Sequence, residues 1–158
     1  SSGNSARLDS RLVRGQQVAT NASAGYDLNA RLDSLFLFDG VPADGRSLQE
    51  LEEAIISEID NLKKTLVQQQ ELDRIKAQVI AAAVYQKDSN FYQAMQLGML
   101  ETVGVGWQKE AEYLDKVKAV TAEQIMAVAN NYLIEDHLTV VHMQPQPIDN
   151  KQEARHAQ

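Results

Sequence analysis

Apolar residues recur every three or four positions through the middle of the chain, which is the spacing of amphipathic helices. The clearest stripe follows Ser47 and Glu50, a Ser-x-x-Glu pair typical of the capping box that starts a helix. Its apolar members are Leu48, Leu51, Ile55, Ile59, Leu62 and Leu66. We therefore predict a helix over about 48–66 with one face on a core.

Four more helices are predicted between residues 70 and 132. Two are expected at 70–85 and 89–101, and a short one follows Trp107 after the glycine loop at 104–106. The last begins at a second capping box, formed by Thr121 and Gln124. Their buried faces are predicted as Leu72, Ile75, Val79 and Ala83; Phe91, Met95 and Met99 or Leu100; Ala111, Leu114 and Val117; and Ile125, Val128, Ala129 and Tyr132.

Strand-forming segments lie on both sides of this helical block. A short helix at about 5–14 is followed by extended segments at 18–26 and 35–38, which we predict to pair as antiparallel strands. A third strand is predicted at 137–143, before Pro145 and Pro147 end it. This order indicates an α+β fold, an antiparallel sheet covered by a block of about five helices.

Such a sheet is thin for the helices it carries, because two strands alone are marginal in water. The chain also opens without a methionine, in a segment that already looks structured. We expect the chain to be part of a larger protein, in a domain that has further strands before Ser1. The polar tail at 148–158 is predicted to be disordered.

The composition is typical of one globular domain and excludes several classes of partner and site. The chain has 158 residues, of which 44% are hydrophobic, enough for one core. Its net charge of −7 disfavours nucleic acid and anionic membranes. Cysteine is absent, which excludes disulfides and thiolate metal sites. No apolar run approaches the roughly 20 residues that cross a bilayer, so no membrane span is predicted.

Few side chains could support catalysis. The histidines are His137, His142 and His156, and the first two would point to opposite faces of the predicted strand. Neither H-E-x-x-H nor H-x-x-E-H occurs, and motifs for a nucleophile elbow or a phosphate loop are also missing. No catalytic, cofactor-binding or metal-binding residue is therefore predicted.

Acidic pairs and the single tryptophan have structural explanations. Glu52 with Glu53, and Glu110 with Glu112, do not face each other on a helix, and we interpret them as solvated faces. Trp107 is expected to pack against other residues rather than to bind substrate, because a large apolar ring is usually buried.

Several segments, in their order and spacing, resemble one family. They are Gly-Asn-Ser-Ala-Arg-Leu at 3–8, Val-Pro at 41–42, Glu-Leu-Asp-Arg-Ile-Lys-Ala-Gln at 71–78, Asp-Ser at 88–89 and Val-Thr-Ala-Glu-Gln-Ile at 120–125. Together they resemble the second half of the pitrilysin/insulinase-type zinc peptidases, the inverzincins. The resemblance runs to about Pro147. It implies that 1–147 is a partial C-terminal half-domain of such a peptidase.

The resemblance implies a non-catalytic C-terminal domain that forms part of a chamber enclosing a peptide. Proteolysis would fall to an N-terminal half-domain that binds zinc through H-x-x-E-H, so zinc is expected in the parent protein and no cofactor in this chain. The chain alone would be inactive. The implied partners are that half-domain, a second subunit in a homo- or heterodimer, and a peptide substrate. The implied compartment is the bacterial periplasm, with an organellar matrix as the alternative.

One departure from the family concerns an arginine and, seven residues later, a tyrosine that contact substrate in many members. When Leu12 and residues 18–19 are aligned with the family pattern, Val13 falls at the arginine position and Thr20 at the tyrosine position. Neither side chain offers the same donors. Arg14 is one residue away, which turns it about 100° round a helix.

The absence of this pair is compatible with two readings of the family resemblance. It fits the zinc-bearing subunit of a two-subunit peptidase, whose partner supplies the pair. It also fits a catalytically inactive scaffold or assembly subunit of the same fold. A third reading, from another class, is an unrelated α+β module whose helices bind a partner.

Overall fold

The computed structural model describes residues 6–145, and the predicted α+β architecture is confirmed there. A π-helix at Asp9–Val13 precedes two strands, β1 (Ala19–Gly25) and β2 (Leu37–Pro42). Five α-helices follow: α1 (Leu48–Lys64), α2 (Gln69–Gln86), α3 (Asn90–Thr102), α4 (Lys109–Ala119) and α5 (Ala122–Tyr132). A 3₁₀ turn at Glu135–His137 completes the elements of the described range.

The core lies between the π-helix, the sheet and α1. The strands pair antiparallel from Ala19 with Pro42 to Gly25 with Leu37. Alternate residues of β2 are partly covered, and Phe38 is among the residues that pack against the core. The buried core cluster consists of Leu8, Leu12, Val18, Ala19, Ala22 and Leu51.

Gly40 allows α1 to approach the sheet closely. A Cβ at this position would lie 3.1 Å from the backbone oxygen of Asn21 and 3.2 Å from Cδ2 of Leu51. Both distances are tighter than ordinary van der Waals contact. The missing side chain therefore leaves the space that buried Leu51 occupies.

Both predicted capping boxes are confirmed. The Ser47 hydroxyl accepts from the Glu50 N–H at 3.1 Å, and the Glu50 carboxylate accepts from the Ser47 N–H at 2.7 Å. That backbone donor, with Arg46 and the Ser47 hydroxyl, holds the pKa of Glu50 below its ordinary value. At the start of α5, Thr121 and Gln124 exchange the equivalent bonds.

The later helices bury few residues. Helix α1 packs on β2 and α5, and α2 packs on α4. Yet α2, α3 and α5 each bury a single residue, namely Leu72, Leu100 and Ala129, and α4 buries none. Most of the core is thus supplied by the first third of the chain.

The first helix and the second strand differ in detail from the prediction. The helix is wound as a π-helix, because the Arg14 and Gln16 N–H groups donate to carbonyls five residues earlier, at 3.1 and 2.7 Å. The second strand begins at Leu37 instead of residue 35, and Leu35 is exposed. The capping residues suggested before Ala6 lie outside the described residues.

The predicted strand at 137–143 is wrong for this structure. Residue 137 ends the 3₁₀ turn, and Leu138 is extended, with φ −86° and ψ 131°. Between residues 139 and 145 the backbone pairs with no other described segment. A strand needs a neighbouring edge for its N–H and C=O groups, and this segment has none within residues 6–145. Pro147 and the tail lie outside that range.

Candidate functional surface

Two arginines attach the N-terminal segment to the helices. The Arg7 guanidinium donates to both carboxylate oxygens of Glu71, at 3.2 and 2.8 Å. The Arg11 Nη1 donates to Oε2 of Glu58 at 2.7 Å, and the Glu58 side chain is only 6% exposed. Arg7 and Glu71 belong to two of the segments on which the family resemblance was based. The structure therefore joins these segments physically.

The two positions matched to substrate-contacting residues have structural roles here. Val13 packs against the core cluster. The Thr20 hydroxyl donates to the Val41 carbonyl at 3.3 Å. Arg14 forms an ion pair of 3.1 Å with Asp9, and it remains half-exposed. Val13 therefore serves packing, and the Thr20 hydroxyl is engaged with the neighbouring strand.

The histidines do not form a metal centre in the part of the chain that is described. Within residues 6–145 no three His, Asp or Glu side chains come together as metal ligands. His142 Nε2 lies 2.9 Å from Glu52 Oε2, so its ring contacts α1 and not a sheet face as predicted. His137 lies on the 3₁₀ turn, and His156 is outside the described residues. The described donor set does not fit zinc.

The acidic pairs form local contacts on the helices. Lys116 and Lys109 donate to the Glu112 carboxylate and lower its pKa to about 2. Glu53 accepts from the Gln49 amide at 2.9 Å, while Glu52 contacts His142. A carboxylate that stays ionised between two lysines is unsuited to general acid or base work near neutral pH.

The glycine loop is folded onto the end of α3. Gly104 and Gly106 have φ angles of +81° and +86°, a region that favours glycine. The N–H groups of Val105 and Gly106 donate to the Leu100 carbonyl. They are therefore not directed to a phosphate.

Trp107 is 54% exposed, so the expected burial of its ring is wrong within this structure.

An apolar face of α3 is open to solvent. Phe91, Met95 and Met99 are spaced by four residues, so they share one face, which we term the α3 stripe. Their exposed fractions are 80, 48 and 36%. On α5, Val128 and Tyr132 are likewise exposed. The sequence predicted both faces to be buried, and no described residue covers them to that extent.

None of the described helices has the length and apolar character needed to cross a membrane. The open faces lie on amphipathic helices. They are among the exposed apolar surfaces of the described residues.

Comparisons with known proteins identify the family. A family model described as the Peptidase M16 inactive domain matches residues 1–79. A protease from Helicobacter pylori has 26% identity and a TM-score of 0.76, over 85% of this chain and 32% of that chain. This chain thus spans about a third of that protease.

A second solved structure shares the fold. It is the inactive peptidase domain of a zinc protease candidate from Bordetella parapertussis, with 18% identity and a TM-score of 0.73, over 94% of this chain and 80% of that domain. No curated protein matches the chain. The resemblance seen in the sequence is confirmed by the family match: this chain belongs to the Peptidase M16 inactive domain family.

Proposed function

We propose that this chain is the non-catalytic C-terminal domain of a zinc metalloendopeptidase and forms part of a chamber that encloses a peptide. Proteolysis is assigned to an N-terminal zinc-binding half outside these residues. Membership of a family described as inactive supports the division of roles. The Helicobacter pylori neighbour, described as a protease, supports the kind of parent protein.

The α3 stripe is the observation that carries the proposal. Phe91 is 80% exposed in a helix whose only buried residue is Leu100. Burying an apolar side chain of this size contributes roughly 1.5–3 kcal/mol, so an open stripe favours association. We propose that the N-terminal half-domain covers it.

Zinc chemistry belongs to that other half. When bound there, zinc would polarise the scissile carbonyl and activate water. The described residues of this chain offer no matching donor set. Their proposed contribution is to hold the zinc-bearing half and to limit the space in which the peptide lies.

The test uses the parent protein with its zinc-bearing half. A double variant, Phe91→Asp with Met95→Asp, places two charges on the α3 stripe. We expect peptide hydrolysis to fall about tenfold or more while the zinc content is unchanged, because unpaired carboxylates in an interface cost more than about 1.4 kcal/mol. Gln93→Asp is the control, because Gln93 is exposed on the opposite side of the same helix.

Full hydrolysis by the double variant would refute the proposed role of the stripe. An inactive scaffold of the same fold is the alternative, and the engaged side chains of Val13 and Thr20 are compatible with it. A parent protein that lacks H-x-x-E-H, or that binds zinc without cleaving unfolded peptides, would establish that alternative.

A further inference from the structure

The connection between β1 and β2 carries apolar side chains that the rest of the described chain leaves open. It spans residues 26–36, and we term it the β1–β2 loop. Its large apolar residues are all at least 48% exposed, namely Tyr26, Leu28, Leu32, Leu35 and Phe36. Leu32 and Leu35 are the most exposed, at 81 and 73%. A group of exposed apolar side chains of this kind commonly marks an interaction surface.

Aromatic contacts hold the base of this loop in place. The strand register ends with Gly25 opposite Leu37, so Tyr26 and Phe36 are the next facing pair. Their rings are stacked, with centroids 6.1 Å apart. The Phe36 ring in turn lies 5.1 Å from that of Phe38, which packs against the core cluster. The base of the loop therefore needs little further ordering when a partner binds.

Two opposite charges flank the most exposed leucine of the loop. Arg31 and Asp33 line an open groove of about 650 Å³ together with Tyr26, Ala30 and Leu32. Within residues 6–145 neither charged side chain forms an ion pair or a hydrogen bond. The loop thus presents one cation and one anion, side by side, next to exposed apolar surface.

We propose that the β1–β2 loop is a docking surface for a second copy of this chain. Across a two-fold axis near Leu32, Arg31 of one copy meets Asp33 of the other, and the converse pair forms at the same time. A partner with a single sign of charge would satisfy only one of the two groups. The net charge of −7 makes copies repel each other, so the local ion pairs select this orientation while the apolar side chains supply the affinity.

Charge exchange in the full chain tests this pairing. All proteins carry Phe91→Asp with Met95→Asp, so that association through the α3 stripe does not contribute. With the loop unsubstituted, we expect sedimentation equilibrium to show monomers and dimers. Arg31→Asp and Asp33→Arg, each made alone, set like charges against each other across the axis. Each should raise the dissociation constant of the dimer by about tenfold or more.

An equimolar mixture of the two variants provides the decisive comparison. One copy then carries two acids at these positions and the other two bases, so both ion pairs can form again. We expect the mixed dimer to dissociate within about threefold of the unsubstituted loop. Asp44→Arg is the matched control, because Asp44 is exposed beyond the other end of β2 and the charge change equals that of Asp33→Arg. Mixed with Arg31→Asp, it should not restore the dimer.

Three results would overturn the proposal. The first is a monomer at every concentration when the loop is unsubstituted, which would assign the loop to another protein, such as the zinc-bearing half. The second is unchanged association of both single variants, with circular dichroism showing intact helices. The third is a mixture that associates no more tightly than either variant alone. The proposed function is tested by peptide hydrolysis instead, so the two proposals can fail independently.

Discussion

Two ion pairs near the start of the chain, those of Arg11 and Arg14, are expected to contribute unequally to stability. The Glu58 carboxylate is almost fully buried, and Arg11 is its ion-pair partner at 2.7 Å. Arg14, three residues further on, pairs with Asp9, but both side chains are substantially exposed. Removing one member of a buried pair leaves a desolvated charge, whereas an exposed pair contributes little.

Arg11→Met is therefore expected to lower the free energy of unfolding by about 1–3 kcal/mol, measured by urea denaturation, because Glu58 is left buried without its donor. Arg14→Met, its matched control, should change it by less than about 1 kcal/mol. The double variant Arg11→Met with Glu58→Met should recover most of the loss, because no carboxylate is left buried. Equal effects of the two single variants would contradict this account.

Gly40 and Gly98 differ in the space that is available for a side chain. A side chain at Gly40 would press on Asn21 and Leu51, whereas a Cβ at Gly98 of α3 would meet nothing within 4 Å. Gly40→Val should lower the free energy of unfolding by about 1–3 kcal/mol through overpacking. Gly98→Ala should raise it by roughly 0.5–1 kcal/mol through helix propensity. Urea midpoints measure both, and a neutral Gly40→Val would show that α1 can move away from the sheet.

Among the elements, the helices could be predicted from sequence and the third strand could not. A helix satisfies its own backbone, so apolar spacing and the capping boxes at Ser47 and Thr121 were sufficient to place α1 and α5. The segment at 137–143 has strand composition, but strand formation also requires a partner edge that local sequence does not contain. The contact of His142 with Glu52 left no sequence signal, because 90 positions separate them.

Helix α4 provides a pH-dependent prediction for an element. The pKa of Glu112, lowered to about 2 by Lys116 and Lys109, lies below the ordinary value of 4.5. Its contribution to α4 is therefore present above pH 4.5 and lost as the pH falls towards 2. Carboxyl NMR should detect titration of Glu112 near 2. In a variant with Lys109→Met and Lys116→Met it should move towards 4.5, and an unchanged midpoint would refute the assigned cause.

Across the whole molecule, the buried residues are unevenly distributed among the elements. The π-helix, the sheet and α1 enclose the core cluster, whereas α2 to α5 bury three residues in total among those described. Sequence periodicity indicated apolar faces on these helices, but the burial predicted for Phe91, Val128 and Tyr132 is wrong in this structure. The spacing of apolar residues does not show which surface covers a face, so spacing alone did not identify the α3 stripe as open.

The open stripe predicts that the chain associates with itself when no partner is present. Sedimentation velocity over a concentration series should show reversible self-association, because apolar surface is removed from water. Phe91→Asp with Met95→Asp should shift the distribution towards monomer, and Gln93→Asp should leave it unchanged. A monodisperse wild-type monomer at every concentration would argue that the stripe is tolerated in water.

The forked bond between Arg7 and Glu71 crosses 64 positions of sequence. It acts as a tether, so a tilt of α2 would be transmitted to the π-helix and from there to the edge of the sheet. Exchanging the two residues, Arg7→Glu with Glu71→Arg, would preserve the link in reversed polarity, whereas either replacement alone would set like charges against each other. With the Arg11–Glu58 pair on α1, it is one of two ionic links that join the beginning of the chain to its helices.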